Sequence, residues 1–110
     1  MMGIRISIVR WVADDQPGWV ECSFLDDAGS EHRVREKAPV VSSADLHAGS
    51  RYPQPGIIGC TVLRRHRAAD GHEVVTVETE QPWGIESVEG RSQFEVRAES
   101  LVEFPHEGAG

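Results

Sequence analysis

The chain has 110 residues, is 39% hydrophobic and carries a net charge of −7 at neutral pH. This length fits one domain, which we place at residues 1–104, with a flexible tail at residues 105–110. No apolar run reaches the roughly 18 residues of a membrane span. The start, MMGIRISIVRW, lacks the continuous apolar centre of a signal peptide. We therefore expect a cytoplasmic protein without membrane contact.

The negative charge is concentrated toward the C-terminus. Residues 71–110 hold nine Glu and two Arg, whereas residues 1–70 carry equal numbers of acidic and basic residues. An acidic balance opposes binding to phosphate backbones, so the sequence argues against a nucleic-acid partner despite the basic cluster Leu63–Arg67. The same charge would suit a basic protein partner.

Period-two hydrophobicity dominates the first half of the chain, and it predicts strands at residues 3–12, 19–25 and 31–37. Ile4, Ile6 and Ile8 fall on one face of the first strand. Strict alternation then places Trp11 on the opposite face. The third strand has few apolar residues and is predicted to be an edge strand protected by charge.

The segment 38–56 is irregular and proline-rich. Ser42 or Ser43 is predicted to cap a single helical turn that runs to Leu46. Long loops in compact domains are often functional, so this segment is a candidate binding region.

The second half predicts more strands, at residues 57–67 and 72–80, then a hairpin of 85–88 with 92–96, and a final strand or helical turn at 97–104. Six or seven short strands with at most one or two helical turns predict an all-β fold. Its architecture is a small antiparallel barrel or a two-sheet sandwich.

The cysteines and histidines give little indication of a catalytic or metal-binding site. Cys22 and Cys60 lie in apolar strand-like runs and are expected to be free, buried thiols. His66 and His72 flank a predicted turn that contains Asp70, but no third strong metal ligand is fixed by spacing. We predict no metal, no cofactor and no catalytic residue, and we interpret the chain as non-enzymatic.

Three carboxylates surround a Pro-Trp-Gly corner. Glu78 and Glu80 are two residues apart on a predicted strand and would share a face, where Glu86 could join them. Convergent carboxylates can divide acid and base roles. The alternative interpretation is the solvent face of an antiparallel strand. Trp83 is predicted to anchor the corner as a largely buried side chain.

Two other tryptophans give the best sequence indication of function. Alternation places Trp11 and Trp19 on outward faces of adjacent strands, where exposed indoles need covering. Either the loop around Tyr52 or the C-terminal segment covers them within the monomer, or they form a surface for self-association or for a partner.

The sequence thus predicts an interaction module that forms a homodimer or binds a protein partner. In one variant it is an acidic inhibitor or immunity-type protein for a basic partner. The predicted contact residues are Trp11, Trp19, Tyr52, Trp83, Glu78, Glu80 and Glu86. The alternative is a small-ligand-binding protein or enzyme with a pocket between the loop Tyr52–Gly56 and the corner Pro82–Gly84.

Overall fold

A computed structural model describes residues 1–103 and confirms the predicted all-β class. Within these residues, one short helix, α1 (Ala38–Val41), and one 3-10 turn (Ala98–Ser100) accompany the strands. The seven strands of residues 1–103 are β1 (Met2–Ala13), β2 (Trp19–Leu25), β3 (Glu31–Lys37), β4 (Gln54–Arg67), β5 (Glu73–Glu78), β6 (Gln93–Arg97) and β7 (Leu101–Glu103). The tail predicted at residues 105–110 lies outside the described residues.

Strand β1 is the centre of the architecture. The sheet order is β3-β2-β1-β4-β5-β6, and β7 also pairs with β1. One edge of β1 pairs with β4, while the other edge pairs first with β7 and then with β2. Since the chain leaves β6 through the 3-10 turn and returns to β1 as β7, the sheet curls into a half-barrel. None of the helices in residues 1–103 has the length and apolar character needed to cross a membrane.

The core lies on the concave, inner face of this sheet. Alternation brings one side chain in two to that face, as expected for a half-buried strand. Its fully buried members include Ile4, Ile8, Val20, Ile58 and Phe94.

Two irregularities in the pairing of β1 with β2 change which side chains face the core. The register passes from Ile8 opposite Cys22 to Arg10 opposite Glu21, and then to Trp11 opposite Val20. Directly opposed residues share a face, and Val20 is fully buried, so Trp11 lies on the inner face. The prediction that Trp11 faces outward beside Trp19 is wrong, because a β-bulge inserts an extra residue and reverses the alternation.

The helical turn begins five or six residues earlier than predicted. It spans Ala38–Val41, and the Ser42 N–H donates to the Ala38 carbonyl at 3.1 Å. Pro39 lies in its first turn, where a missing N–H costs nothing and the fixed φ favours helix. Ser42, predicted as an N-terminal cap, instead ends the helix in an extended conformation.

The predicted strand at residues 85–88 is absent from the described fold, and this region is a compact loop. Thr79 closes the loop with two bonds to Ile85. The Ile85 N–H donates to the Thr79 carbonyl at 3.0 Å, and the Thr79 hydroxyl donates to the Ile85 carbonyl at 2.7 Å. A fully buried Thr79 thus replaces the predicted hairpin ladder.

The contact of Gly18 with Trp11 gives a test of the reversed alternation. A Cβ atom at Gly18 would lie 2.0 Å from Trp11 Cζ2, so Gly18→Ala must displace the indole or the backbone. We expect a loss of about 1–3 kcal/mol in the free energy of unfolding, measured by urea denaturation. Gly49→Ala is the control, because its nearest neighbour is a His47 ring atom at 3.4 Å. Equal stability of the two variants would contradict the inward placement of Trp11.

Candidate functional site

Trp11 lines a cleft of about 450 Å³ at the end of β1. One wall is the turn between β1 and β2, and the other wall is the start of α1 together with the loop that follows it. We call this the Trp11 cleft. It is lined by Trp11, Asp14, Asp15, Gln16, Pro17, Gly18, Ala38, Pro39, Ala44, Asp45, Leu46 and His47.

The Trp11 cleft is acidic. Asp14, Asp15 and Asp45 are exposed at it, and neither Lys nor Arg occurs among its lining residues. The Trp11 indole N–H donates to Asp14 Oδ1 at 2.6 Å, which fixes the orientation of the ring. The cleft therefore combines an oriented aromatic ring with three carboxylates, and this arrangement attracts cations.

Tyr52 supports one wall of the Trp11 cleft without lining it. Its side chain packs against the core, and its hydroxyl donates to the His47 carbonyl at 2.7 Å. The His47 N–H donates to the Ser50 hydroxyl at 2.9 Å, so both the N–H and the carbonyl of His47 are hydrogen-bonded. Of the predicted contact residues, the structure brings Trp11 and Tyr52 to one region.

A second charged site lies on the outer face of β1, β2 and β3. Glu21 is only 3% exposed because Arg10, Arg33 and Arg35 cover it. Its carboxylate accepts hydrogen bonds from Arg10 Nη2 at 3.2 Å, Arg33 Nη1 at 2.5 Å and Arg35 Nε at 3.1 Å. We call these four residues the Glu21–Arg cluster.

Two opposing effects act on the Glu21 carboxyl. Burial raises its pKa, whereas the hydrogen bonds from Arg10, Arg33 and Arg35 lower it; the arginines prevail, and the pKa lies below its usual value. Glu21 is therefore a buried anion at neutral pH. Glu21 was not predicted as a site residue, because it follows the ordinary alternation of an exposed position. Only the register of three strands reveals that three cations converge on it.

Trp19 and Trp83 lie elsewhere on the molecule. Trp19 is half-buried on the same sheet face as Glu21, with Lys37 Nζ 5.9 Å from its ring centroid. Trp83 is also half-buried and packs over Gly59, where a Cβ atom would lie 3.2 Å from its ring. The corner passes across β4, and the Thr61 hydroxyl donates to the Gln81 carbonyl at 3.1 Å.

The three predicted carboxylates do not share a strand face. Strand β5 ends at Glu78, and both Glu80 and Glu86 are exposed in the following loop. The prediction that Glu78 and Glu80 share a face is wrong, because the Gly84 N–H donates to the Glu80 carbonyl and turns the chain there. Neither these carboxylates nor Tyr52 and Trp83 line the Trp11 cleft.

Two histidine–aspartate contacts secure the loop between β2 and β3. His32 is buried against Phe24 and Phe94, and its Nε2 lies 2.8 Å from Asp26 Oδ2. Burial raises the pKa of Asp26, but hydrogen bonds from His32 and from two backbone N–H groups outweigh burial and hold the pKa low. This pair fixes the loop to the core.

His72 joins the same loop to the turn between β4 and β5. Its Nε2 lies 2.6 Å from Asp27 Oδ1, and its Nδ1 contacts Asp70. The hydrogen bond with Asp27, followed by that with Asp70, raises the pKa of His72 above its usual value. In residues 1–103 no group of three or more His, Cys, Asp or Glu side chains is arranged to hold a metal ion.

Both cysteines are free and buried, as predicted. Burial raises the pKa of Cys22 to about 12 and that of Cys60 to about 11. The thiols therefore stay protonated at neutral pH, and a protonated thiol is not a nucleophile.

Comparison with protein-family models, with curated proteins and with solved structures finds no match to this chain.

The buried Glu21 carboxylate predicts acid-sensitive stability. Folding lowers the pKa of Glu21, so Glu21 contributes to the free energy of unfolding at pH values above its unfolded pKa near 4.5. This contribution is lost as the pH falls through the folded pKa. We expect Glu21→Gln to lower the free energy of unfolding by about 1–3 kcal/mol near neutral pH, and by less in acid. Denaturant unfolding at both pH values measures this. Glu31→Gln is the control, because Glu31 is exposed and its ion pair with Arg33 is exposed as well; an equal loss in the control would contradict the prediction.

His72 predicts the opposite pH dependence. Folding raises the pKa of His72, so His72 contributes fully to the free energy of unfolding below about pH 6.5. This contribution is lost as the pH rises through the folded pKa. We expect His72→Gln to reduce thermal stability at mildly acidic pH and to have less effect at alkaline pH. The control is His66→Gln, at an exposed position of β4; an equal effect there would show that the loss does not come from the contacts of His72. A pH-independent loss in His72→Gln would contradict the ionic role.

Proposed function

We propose that this protein is a non-catalytic interaction module that binds a cationic protein partner, with the Trp11 cleft receiving a Lys or Arg side chain. The observation that carries the proposal is the joint presence of an oriented indole and three exposed aspartates in one cleft without a lining cation. A guanidinium or ammonium over an indole is stabilised by the ring quadrupole, and nearby carboxylates add to that attraction.

The size of the Trp11 cleft is consistent with such an anchor. Its volume of about 450 Å³ lies within the range of small-ligand sites, so one long side chain with its neighbouring backbone can enter. Tyr52 holds the His47 wall, and Asp14 holds the indole. A wall and ring that are already positioned reduce the conformational entropy lost on binding.

The net charge of −7 supports the same class of partner. A negative field steers a cationic protein toward the surface and raises its association rate at low salt. Exposed Glu80 and Glu86 add to that field without forming a pocket. We therefore assign to these carboxylates a role in long-range attraction, which is screened beyond about 8 Å at physiological salt.

Self-association through a joint surface of Trp11 and Trp19 is not the form of interaction that we propose. Trp11 lies on the inner face opposite Val20, whereas Trp19 lies on the outer face opposite Ala13. The two indoles therefore cannot lie side by side on one sheet face. The proposal retains the predicted interaction module and moves its contact site to the cleft.

A hexa-arginine peptide is a suitable probe for the Trp11 cleft. We expect saturable binding by calorimetry, weakened by salt, together with a shift of the Trp11 indole N–H signal in NMR spectra. That signal is assigned by its loss in Trp11→Phe. Asp15→Asn with Asp45→Asn should weaken binding about tenfold, because two carboxylates near the bound cation are removed.

The matched control is Glu99→Gln with Glu103→Gln, which makes the same change in net charge at exposed positions outside the cleft. We expect at most about a twofold effect, because the remote charges are screened. If both double variants weaken binding equally, diffuse attraction explains the result and the cleft has no specific role. An unshifted indole signal would likewise contradict the proposal.

A further inference from the structure

The outer face of β1, β2 and β3 is cationic although the whole chain is acidic. Opposed pairs in the ladders place alternate residues of these strands on this face. Its cations are Arg5, Arg10, Arg33, Arg35 and Lys37, and its anions are the buried Glu21 and the exposed Glu31. The face therefore has an excess of three positive charges, at a site separate from the Trp11 cleft.

The three arginines of the Glu21–Arg cluster have many unused hydrogen-bond donors. Each guanidinium has five N–H groups. Within the described chain, Arg10 uses two toward Glu21, Arg35 uses one, and Arg33 uses one toward Glu21 and one toward Glu31. The arginine side chains are 45% to 55% exposed, so the remaining N–H groups are open to solvent or to a ligand.

Glu21 fixes the positions of these guanidinium groups. A free arginine side chain loses rotamer entropy when it is immobilised. In this cluster the buried carboxylate already holds all three side chains, so a ligand that binds them has less entropy to remove.

Two further side chains give the face the composition of a protein contact. Trp19 lies beside Lys37 on the same side, and Leu25 is 59% exposed. Trp and Arg are enriched among the residues that contribute most to binding energy in protein interfaces.

We propose that this face binds a carboxylate-rich segment of an acidic protein partner. Planar guanidinium groups match carboxylates in bidentate geometry. A long nucleic acid is less well suited, because it would extend beyond the face onto the acidic remainder of the chain. A short acidic segment senses mainly the local charge, since screening acts within about 8 Å at physiological salt.

The proposal is tested with a fluorescein-labelled hexaglutamate peptide and the full-length protein. We expect saturable, salt-sensitive binding by fluorescence anisotropy. Arg33→Lys with Arg35→Lys keeps the charge but removes the planar forks, and it should weaken binding about tenfold. The control is Arg64→Lys with Arg67→Lys, at exposed arginines outside the face, which should leave affinity within about twofold.

NMR on the unchanged protein gives a second measurement that does not depend on the folding of a variant. Hexaglutamate should shift the Nε–H signals of Arg10, Arg33 and Arg35 and leave that of Arg64 unshifted. Absence of binding, equal weakening by the two double variants, or a shift confined to other arginines would overturn the proposal. Tighter binding of single-stranded hexathymidylate than of hexaglutamate would also overturn it, in favour of a nucleic-acid surface.

Discussion

The bulge between Ile8 and Arg10 is the constraint on which both charged sites depend. Without it, strict alternation would place Trp11 on the outer face and would misalign Arg10 with Glu21. With it, Trp11 lies opposite the buried Val20 and can line the cleft, while Arg10 lies opposite Glu21 and covers the carboxylate. One extra residue in the central strand therefore sets the position of an acidic cleft and of a cationic face.

The position of β1 in the sheet explains why one bulge in this strand affects both charged sites. The first half of β1 is held on both edges, by β4 and by β7, so it cannot slip without moving the fully buried Ile4. The second half pairs with β2 and extends past the pairing with β4. Its side chains can therefore depart from the regular pattern without disrupting the core, and Trp11 lies in this half.

Much of the fold could be predicted from the sequence, because a half-buried strand requires alternation. For the strands that contain Ile4, Cys22 and Val34, both predicted ends lie within one residue of the observed ends. The helical turn was misplaced because Ser42 resembles a cap, whereas Pro39 at a first turn was the better signal. Residues 85–88 were misassigned because Thr79 satisfies the backbone groups that a hairpin would otherwise pair.

The sites were harder to predict, because they depend on contacts between distant segments. Nothing adjacent to Glu21 in the chain shows that it is buried; Arg33 and Arg35 reach it only through the pairing of β2 with β3. Tyr52 was predicted as a contact residue, but its position depends on a hydrogen bond to a backbone carbonyl that has no sequence signal. The acidic character of the C-terminal part was evident from composition, whereas the Trp11 cleft draws its aspartates from residues 14–45.

The Glu21–Arg cluster fixes three arginine side chains as well as contributing to stability. Desolvating a carboxylate is expensive, and well-packed apolar residues often replace a buried ionic cluster with no loss of stability. The apolar core, which includes the buried Ile4, Val20 and Phe94, lies on the inner face, opposite the Glu21–Arg cluster. An apolar residue at position 21 could not hold three guanidinium groups in fixed positions while leaving them about half exposed. The cluster therefore holds three arginines in position in addition to the stabilisation expected of Glu21.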